Sequence, residues 1–256
     1  MKKLGLIGFP LGHSFSKKYY VQKMAEEAIE GVDYDLYPIE NITHFPNLYL
    51  DSENGLSGCN VTIPYKQAVI SYLDELSEEA QFIGAVNCIT IERKGDGSSF
   101  LKGYNTDAFG FEQSLLPLLK PTLHTHALVL GNGGAAKAVL FVLKKLGIHT
   151  QLVSRIASVD AIAYEEITPE IIAKHRLIVN CTPLGTFPNV DVCPPIPYSA
   201  ITSDHYLYDL IYNPDETLFL KKGHKQGAAT KNGYEMLVLQ ADKNWAIWLA
   251  ENNSYF

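Results

Sequence analysis

Two short stretches hold residue types that could do chemistry: NVTIPYK at 60–66 and LVLGNGGAA at 128–136. In the first, the β-branched run Val61, Thr62, Ile63 reads as a buried strand that Pro64 ends, because proline cannot donate to a central ladder. Lys66 follows at once, so an ammonium stands where the chain leaves a core. A lysine there usually lies along the surface, its stem on apolar neighbours and its head in water. Its other use is as a proton carrier, which requires a closed cleft that disfavours the charged form.

The second stretch points to phosphate. Gly131, Gly133 and Ala136 fit G-x-G-x-x-G/A, directly after a strand-like run and at the start of the helical run AAKAVLFVLKKLG. The first glycine permits the tight turn and the second lets backbone approach a pyrophosphate. The small third residue lets helix and strand pack closely, and the helix N-terminus offers amide donors. In that context the motif predicts dinucleotide binding rather than a merely tight turn. The next strand-like run, HTQLV, ends in Ser154 and Arg155, and no acidic residue appears until Asp160. A carboxylate at that strand end would hold a ribose hydroxyl, whereas an arginine suits a 2′-phosphate, so NADP is expected over NAD.

Elements must carry these groups, and the composition allows them. The 256 residues are 46% hydrophobic and 19% charged, with a net charge of −7, which fits an ordinary soluble globular protein of one large domain or two modest ones. That balance argues against nucleic-acid or anionic-membrane partners, both of which call for a basic surface. Cys59, Cys88, Cys181 and Cys193 form no Cys-x-x-Cys pair and read as reduced, buried thiols. His124 and His126 lack acidic or thiol companions nearby, so no metal is expected. The opening MKKLGLIGFPLG is broken by Gly and Pro and reads as a first strand rather than a leader; no apolar run is long enough to span a membrane. A cytoplasmic location is expected.

Strand and helix patterns alternate. Strands are expected at 3–9, 32–39, 58–64, 85–92 and 98–104, the last two joined at Gly95-Asp96-Gly97 by a hairpin turn. Helices are expected at 16–29, 65–76, 77–83 and 107–119, with Thr106 as N-cap of the last. A second series follows: strands 126–130, 149–153, 176–181 and 206–212, and helices 134–146, 168–175, 215–225 and 234–250. Such alternation favours a parallel sheet covered on both faces. The Pro-rich 183–197 reads as one long loop, the kind that marks a site. The fold class is therefore α/β in two domains, residues 1–106 plus 235–256 and residues 107–234, the latter Rossmann-like.

Taken in order, GFPLGHSFS, GCNVTIPYK, GAVNCI, GYNTDAFG, GNGGAAKA, VSR, NCTPLG, DLIY and NGYEMLVLQA resemble the shikimate dehydrogenase family over essentially the whole chain. The resemblance implies NADP(H)-dependent interconversion of shikimate and 3-dehydroshikimate in aromatic amino-acid biosynthesis, in a monomer or homodimer, with no metal. It implies an N-terminal substrate domain and a cleft that Lys66 faces. It assigns Lys66 and Asp107 as the catalytic pair, Ser14 and Ser16 to the substrate carboxylate, and Thr62, Asn87, Tyr212 and Gln240 to other substrate contacts. It assigns the cofactor to Gly131, Asn132, Gly133, Gly134, Ala135, Ala136, Ser154, Arg155, Thr182 and Gly233. One departure is Ile156, where the family's clamp commonly carries threonine; a phosphate contact is lost there. Competing expectations are a quinate- or NAD-using relative and a non-catalytic NADP sensor. Ser14 or Ser16 could also simply cap the first helix, and Asn87 and Gln240 could be satisfied core amides.

Overall fold

The computed structural model describes residues 1–12, 15–51 and 54–250. The chain divides into two compact units, Met1–Thr106 with Ala241–Phe256, and Asp107–Gln240.

The first unit holds strands β1 (Lys2–Gly8), β2 (Val32–Pro38), β3 (Gly58–Val61), β4 (Glu75–Leu76), β5 (Cys88–Arg93) and β6 (Ser99–Tyr104). They form one sheet in the order β2-β1-β3-β5-β6-β4. β1 pairs in parallel with β2 and β3, while β5 runs antiparallel to both β3 and β6. The β5–β6 turn uses the expected residues: Gly97 has φ +83°, its N–H donates to the Lys94 carbonyl at 3.0 Å, and the Asp96 carboxylate takes the Ser98 N–H at 2.9 Å. Helix α1 (Phe15–Glu26) and short α2 (Glu78–Ile83) complete the unit. α2 is defined at both ends, by the Ser77 hydroxyl on the Ala80 N–H and by Gly84 at φ 66°.

One apolar cluster joins Ile7, Phe45, Val61, Val69 and Ile89; another joins Leu4, Tyr20, Tyr34, Trp245 and Trp248. The second shows why the chain's last turns belong with its beginning. Trp248 donates Nε1–H to the Ile89 carbonyl at 3.0 Å, and the Tyr20 ring stacks on Trp245 at 5.7 Å.

The second unit is a parallel sheet in the order β12-β11-β10-β7-β8-β9, built from β7 (His126–Leu130), β8 (His149–Ser154), β9 (Ala161–Ala163), β10 (Leu177–Asn180), β11 (Tyr206–Asp209) and β12 (Ala229–Lys231). β10 and β11 are buried along their whole lengths, as strands covered on both faces must be. Helices α3 (Thr106–Leu115), α4 (Gly134–Lys145), α5 (Pro169–Lys174), α6 (Leu218–Lys225) and α7 (Tyr234–Ala250) complete the chain, α7 crossing from one unit to the other at Gln240. Between β8 and β9 the chain crosses on residues 155–160 alone, without a helix.

Several expectations need correcting. The helix expected at 65–76 is a 3-10 turn, Ala68–Tyr72, followed by β4. Val69 is the buried residue of that turn, too little apolar surface to hold a longer helix. β3 ends at Val61 rather than at 64, although the Thr62 N–H still reaches the Ile7 carbonyl at 2.9 Å. α1 stops at Glu26, and Ala28 turns to φ 51°. Thr106 is the first residue of α3 rather than its cap, because its hydroxyl is engaged with Asn87 and Asn244.

Candidate active site

In the first unit, strand ends gather polar groups at one edge of the sheet. β1 and β3 run in parallel toward Gly8 and Val61, and antiparallel β5 and β6 bring Asn87 and Asn105 to the same edge. The Val61 N–H donates to the Asn87 carbonyl at 2.9 Å, and the Asn87 N–H to the Tyr104 carbonyl at 3.0 Å. Thr62 and Lys66 follow on the β3 side. A turn closed by the Tyr65 N–H on the Thr62 carbonyl leads to Lys66, whose own carbonyl accepts the Val86 N–H at 2.7 Å. The backbone around Lys66 is thus tied at both ends.

Asn87 is buried, with its side chain turned to Thr106: Oδ1 accepts the Thr106 N–H at 2.7 Å and Nδ2 donates to the hydroxyl at 3.0 Å. The Thr106 hydroxyl in turn donates to Asn244 Oδ1 at 2.6 Å, and Asn244 Nδ2 donates to the Tyr20 phenol at 3.3 Å. The core-amide reading of Asn87 therefore describes these bonds. Ser16 stands in the first turn of α1, and the buried phenol of Tyr34 joins the Asn87 network. That phenol donates to Asn60 Oδ1 at 2.8 Å, and Asn60 Nδ2 donates to the Asn87 carbonyl. Burial raises the Tyr34 pKa well above the usual phenol value, so it stays a neutral donor. Ser14 lies outside the described residues.

Asp107, Tyr212 and Gln240 fall in the second unit. Asp107 stands in the first turn of α3 and is largely buried. Gln240 is buried and donates Nε2–H to the Leu237 carbonyl at 2.8 Å. Tyr212 lies just past β11, with its pKa raised by burial. Gly233 donates to the Ile211 carbonyl at 3.0 Å and packs so closely on Leu210 that an added Cβ would lie 2.1 Å from its carbonyl oxygen.

The carboxyl ends of β7, β8 and β10 enclose a cavity of about 360 Å³ lined by Gly131, Asn132, Gly133, Ser154, Arg155, Tyr164, Cys181, Thr182, Pro183 and Leu184. Ligands of open α/β sheets bind at such ends. Gly131 adopts φ +99°, which a side chain rarely tolerates, and its N–H donates to the Val153 carbonyl at 2.8 Å. Gly133 caps α4 without a side-chain bond, so the first-turn amides are not taken by a capping hydroxyl. Gly134, Ala135 and Ala136 continue into α4, and buried Ala136 faces the packing of the helix rather than the cavity.

Arg155 is exposed at the cavity rim, and the Ser154 hydroxyl bonds the Ile156 carbonyl. Ile156 itself is 81% exposed, so its side chain offers neither packing nor a hydrogen bond. Sequence reasoning missed Tyr164, Cys181, Pro183 and Leu184 as individual lining residues; the Pro-rich loop after β10 was the available signal for Pro183 and Leu184. Among the described residues no group of three or more His, Cys, Asp or Glu side chains could hold a metal ion.

The chain has counterparts among known proteins. Residues 6–89 match the family model described as the shikimate dehydrogenase substrate binding domain. A protein of Clostridium beijerinckii named shikimate dehydrogenase (NADP(+)) is 41% identical over 258 residues, covering 97% of this chain and 92% of that one. The crystal structure of shikimate dehydrogenase 1 from Peptoclostridium difficile is 37% identical, with a TM-score of 0.78 over 98% of this chain and 92% of that one. A quinate dehydrogenase from Corynebacterium glutamicum, solved in complex with NAD, is 27% identical with a TM-score of 0.80, over 96% and 93% of the two chains. On this full-length similarity, the chain belongs to the shikimate dehydrogenase family.

Proposed function

We propose that the protein is an NADP-dependent shikimate dehydrogenase, reducing 3-dehydroshikimate to shikimate and running the reverse reaction when the product is in excess. The observation that carries this reading is the match, over nearly the whole chain, to proteins of that name. The cavity at the end of β7 fits the cofactor: a glycine turn at φ +99° and an α4 N-terminus suit a pyrophosphate, and Arg155 at the rim suits a 2′-phosphate. Gly131 to Ala135, Ser154, Arg155, Thr182 and Gly233 would hold it, with Ala136 packing the helix behind the loop. The bound nicotinamide supplies or accepts a hydride.

The chain's own residues must then bind the carbocycle and move one proton at the hydroxyl oxygen. Lys66 is assigned that proton transfer, and Asp107 orients both the hydroxyl and the ammonium. Ser14, Ser16, Thr62, Asn87, Tyr212 and Gln240 are assigned to substrate binding. For Asn87, the bonds to Thr106 fix where the polar group stands. The substrate unit is Met1–Thr106 with the chain's end, and the nucleotide unit is Asp107–Gln240. A cytoplasmic monomer or homodimer, with no nucleic-acid or membrane partner, fits the net charge of −7; no described helix is long and apolar enough to cross a membrane.

A second reading has a specific observation behind it. Ile156 offers the 2′-phosphate nothing, and the Ser154 hydroxyl is spent on the Ile156 carbonyl, so NAD and quinate are the alternative pair. Initial rates by nicotinamide absorbance, with shikimate and quinate each against NADP and NAD, decide between them. Turnover of shikimate with NADP supports the first reading. Turnover mainly of quinate with NAD supports the second, and NADP binding without any turnover would leave a sensor.

A further inference from the structure

Behind the cavity of the second unit runs a chain of buried polar groups with no role assigned above. Asp209, the last residue of β11, is fully buried. Its Oδ2 accepts the Thr217 hydroxyl at 2.6 Å, and its Oδ1 accepts Asn180 Nδ2 at 3.0 Å and the Ile211 N–H at 3.1 Å. Asn180, the last residue of β10, is equally buried. A carboxylate only accepts, so it dictates which end of the Asn180 amide it meets. The amide must therefore turn Oδ1 outward, where it accepts the Thr182 N–H at 3.0 Å and the Thr182 hydroxyl at 2.7 Å. Thr182 Oγ1 then accepts the Leu184 N–H at 3.3 Å. Thr182 and Leu184 line the cavity, and a Cβ placed on Gly131 would lie 2.9 Å from the Thr182 methyl.

We infer that Asp209 is a positioning residue for the dinucleotide: through Asn180 it fixes Thr182 and the 182–184 turn against the Gly131 loop. This rests on the nucleotide reading of the cavity proposed above. The cost of the arrangement supports a role beyond packing. Burial pushes the Asp209 carboxyl up to about 6, against the pull of its three donors, so near neutral pH the fold holds a charge that it disfavours. An apolar side chain would fill the space without that penalty, but could not orient an amide.

The test compares NADP dissociation constants, read by calorimetry on folded protein, for wild type, Asp209→Ala, Asp209→Asn, Asn180→Ala and the double alanine variant. Asp209→Asn keeps an oxygen for Asn180 and Ile211 and can donate to Thr217, so it should bind within about threefold of wild type. Asp209→Ala and Asn180→Ala should each weaken NADP by about tenfold, and the double variant by no more than either alone, because both break one chain. A residue that only supports the fold would lower thermal midpoints and leave these constants unchanged. If Asp209→Ala fails to fold, Asn180→Ala against Asp209→Asn carries the same comparison. Wild-type affinity in the alanine variants overturns the inference while leaving the proposed function standing. Failure of wild type to bind NADP overturns both.

Discussion

Asn87 grips Thr106 from two sides, accepting its N–H at 2.7 Å and donating to its hydroxyl at 3.0 Å. The grip joins the residue before β5 to the first residue of α3, and it continues through Asn244 to Tyr20. It gives one side chain two tasks: closing a buried network and presenting the edge assigned to substrate.

Replacing Asn87 by alanine strands the Thr106 N–H in the core. An unmet buried donor costs about 1–3 kcal/mol, so Asn87→Ala should lower the urea midpoint accordingly. Asn87→Asp retains the acceptor for the N–H and should lose less. An unchanged midpoint in Asn87→Ala would mean that the bonds to Thr106 contribute nothing net.

On the proposed function, Arg155 and Ile156 bear on cofactor choice in opposite ways. Removing an exposed guanidinium that meets a phosphate should weaken NADP by about tenfold and leave NAD nearly untouched, since charge-assisted bonds contribute roughly 1.5–3 kcal/mol. Arg155→Ala is therefore expected to narrow the gap between the two nucleotides. Ile156→Thr adds a hydroxyl at a side chain that is 81% exposed and should tighten NADP severalfold. Equal loss of both nucleotides in Arg155→Ala would place the arginine elsewhere than on the 2′-phosphate.

Much of the frame could be read from local signals. The glycine loop, the α4 run and the 94–98 hairpin turn each carry their geometry in adjacent residues, and the structure keeps them there. The elements missed were those that long-range pairing creates. β4, β9 and β12 are too short to show any period, and exist because β6, β8 and β11 offer them an edge. The same limit applies within the site. Gly131, Asn132, Gly133, Ser154, Arg155 and Thr182 were marked by motif, and the structure gathers them around one cavity. Tyr164 joins them only because β9 pairs with β8.

Three buried histidines make the second unit sensitive to acid. His124 Nδ1 accepts the Lys120 N–H at 3.0 Å, and its Nε2 donates to the Asp204 carbonyl at 3.2 Å. His205 is bonded in the same way, accepting the Thr202 N–H and donating to the Ile172 carbonyl. His175 Nδ1 donates to the Ile171 carbonyl at 2.8 Å. Burial lowers all three pKa values below the ordinary histidine value, so the unfolded chain takes up protons first as pH falls. Their contribution is fully present above about pH 6.5 and is lost below it. Asp209, raised to about 6, works the other way: ionising it costs stability as pH climbs toward that value, which blunts the trend only below it. Urea midpoints should therefore fall between about pH 7.5 and about pH 6. A rising midpoint across that interval would contradict neutral histidines in the fold.

The proton-transfer role of Lys66 is tested most directly by shikimate oxidation with NADP, followed by absorbance at saturating cofactor in wild type and in Lys66→Ala, with shikimate affinity measured alongside. Positioned proton transfer contributes about 10²–10⁴ in rate, so kcat should fall by at least about a hundredfold while shikimate binding changes little. Near-normal turnover in Lys66→Ala would show that another group moves the proton.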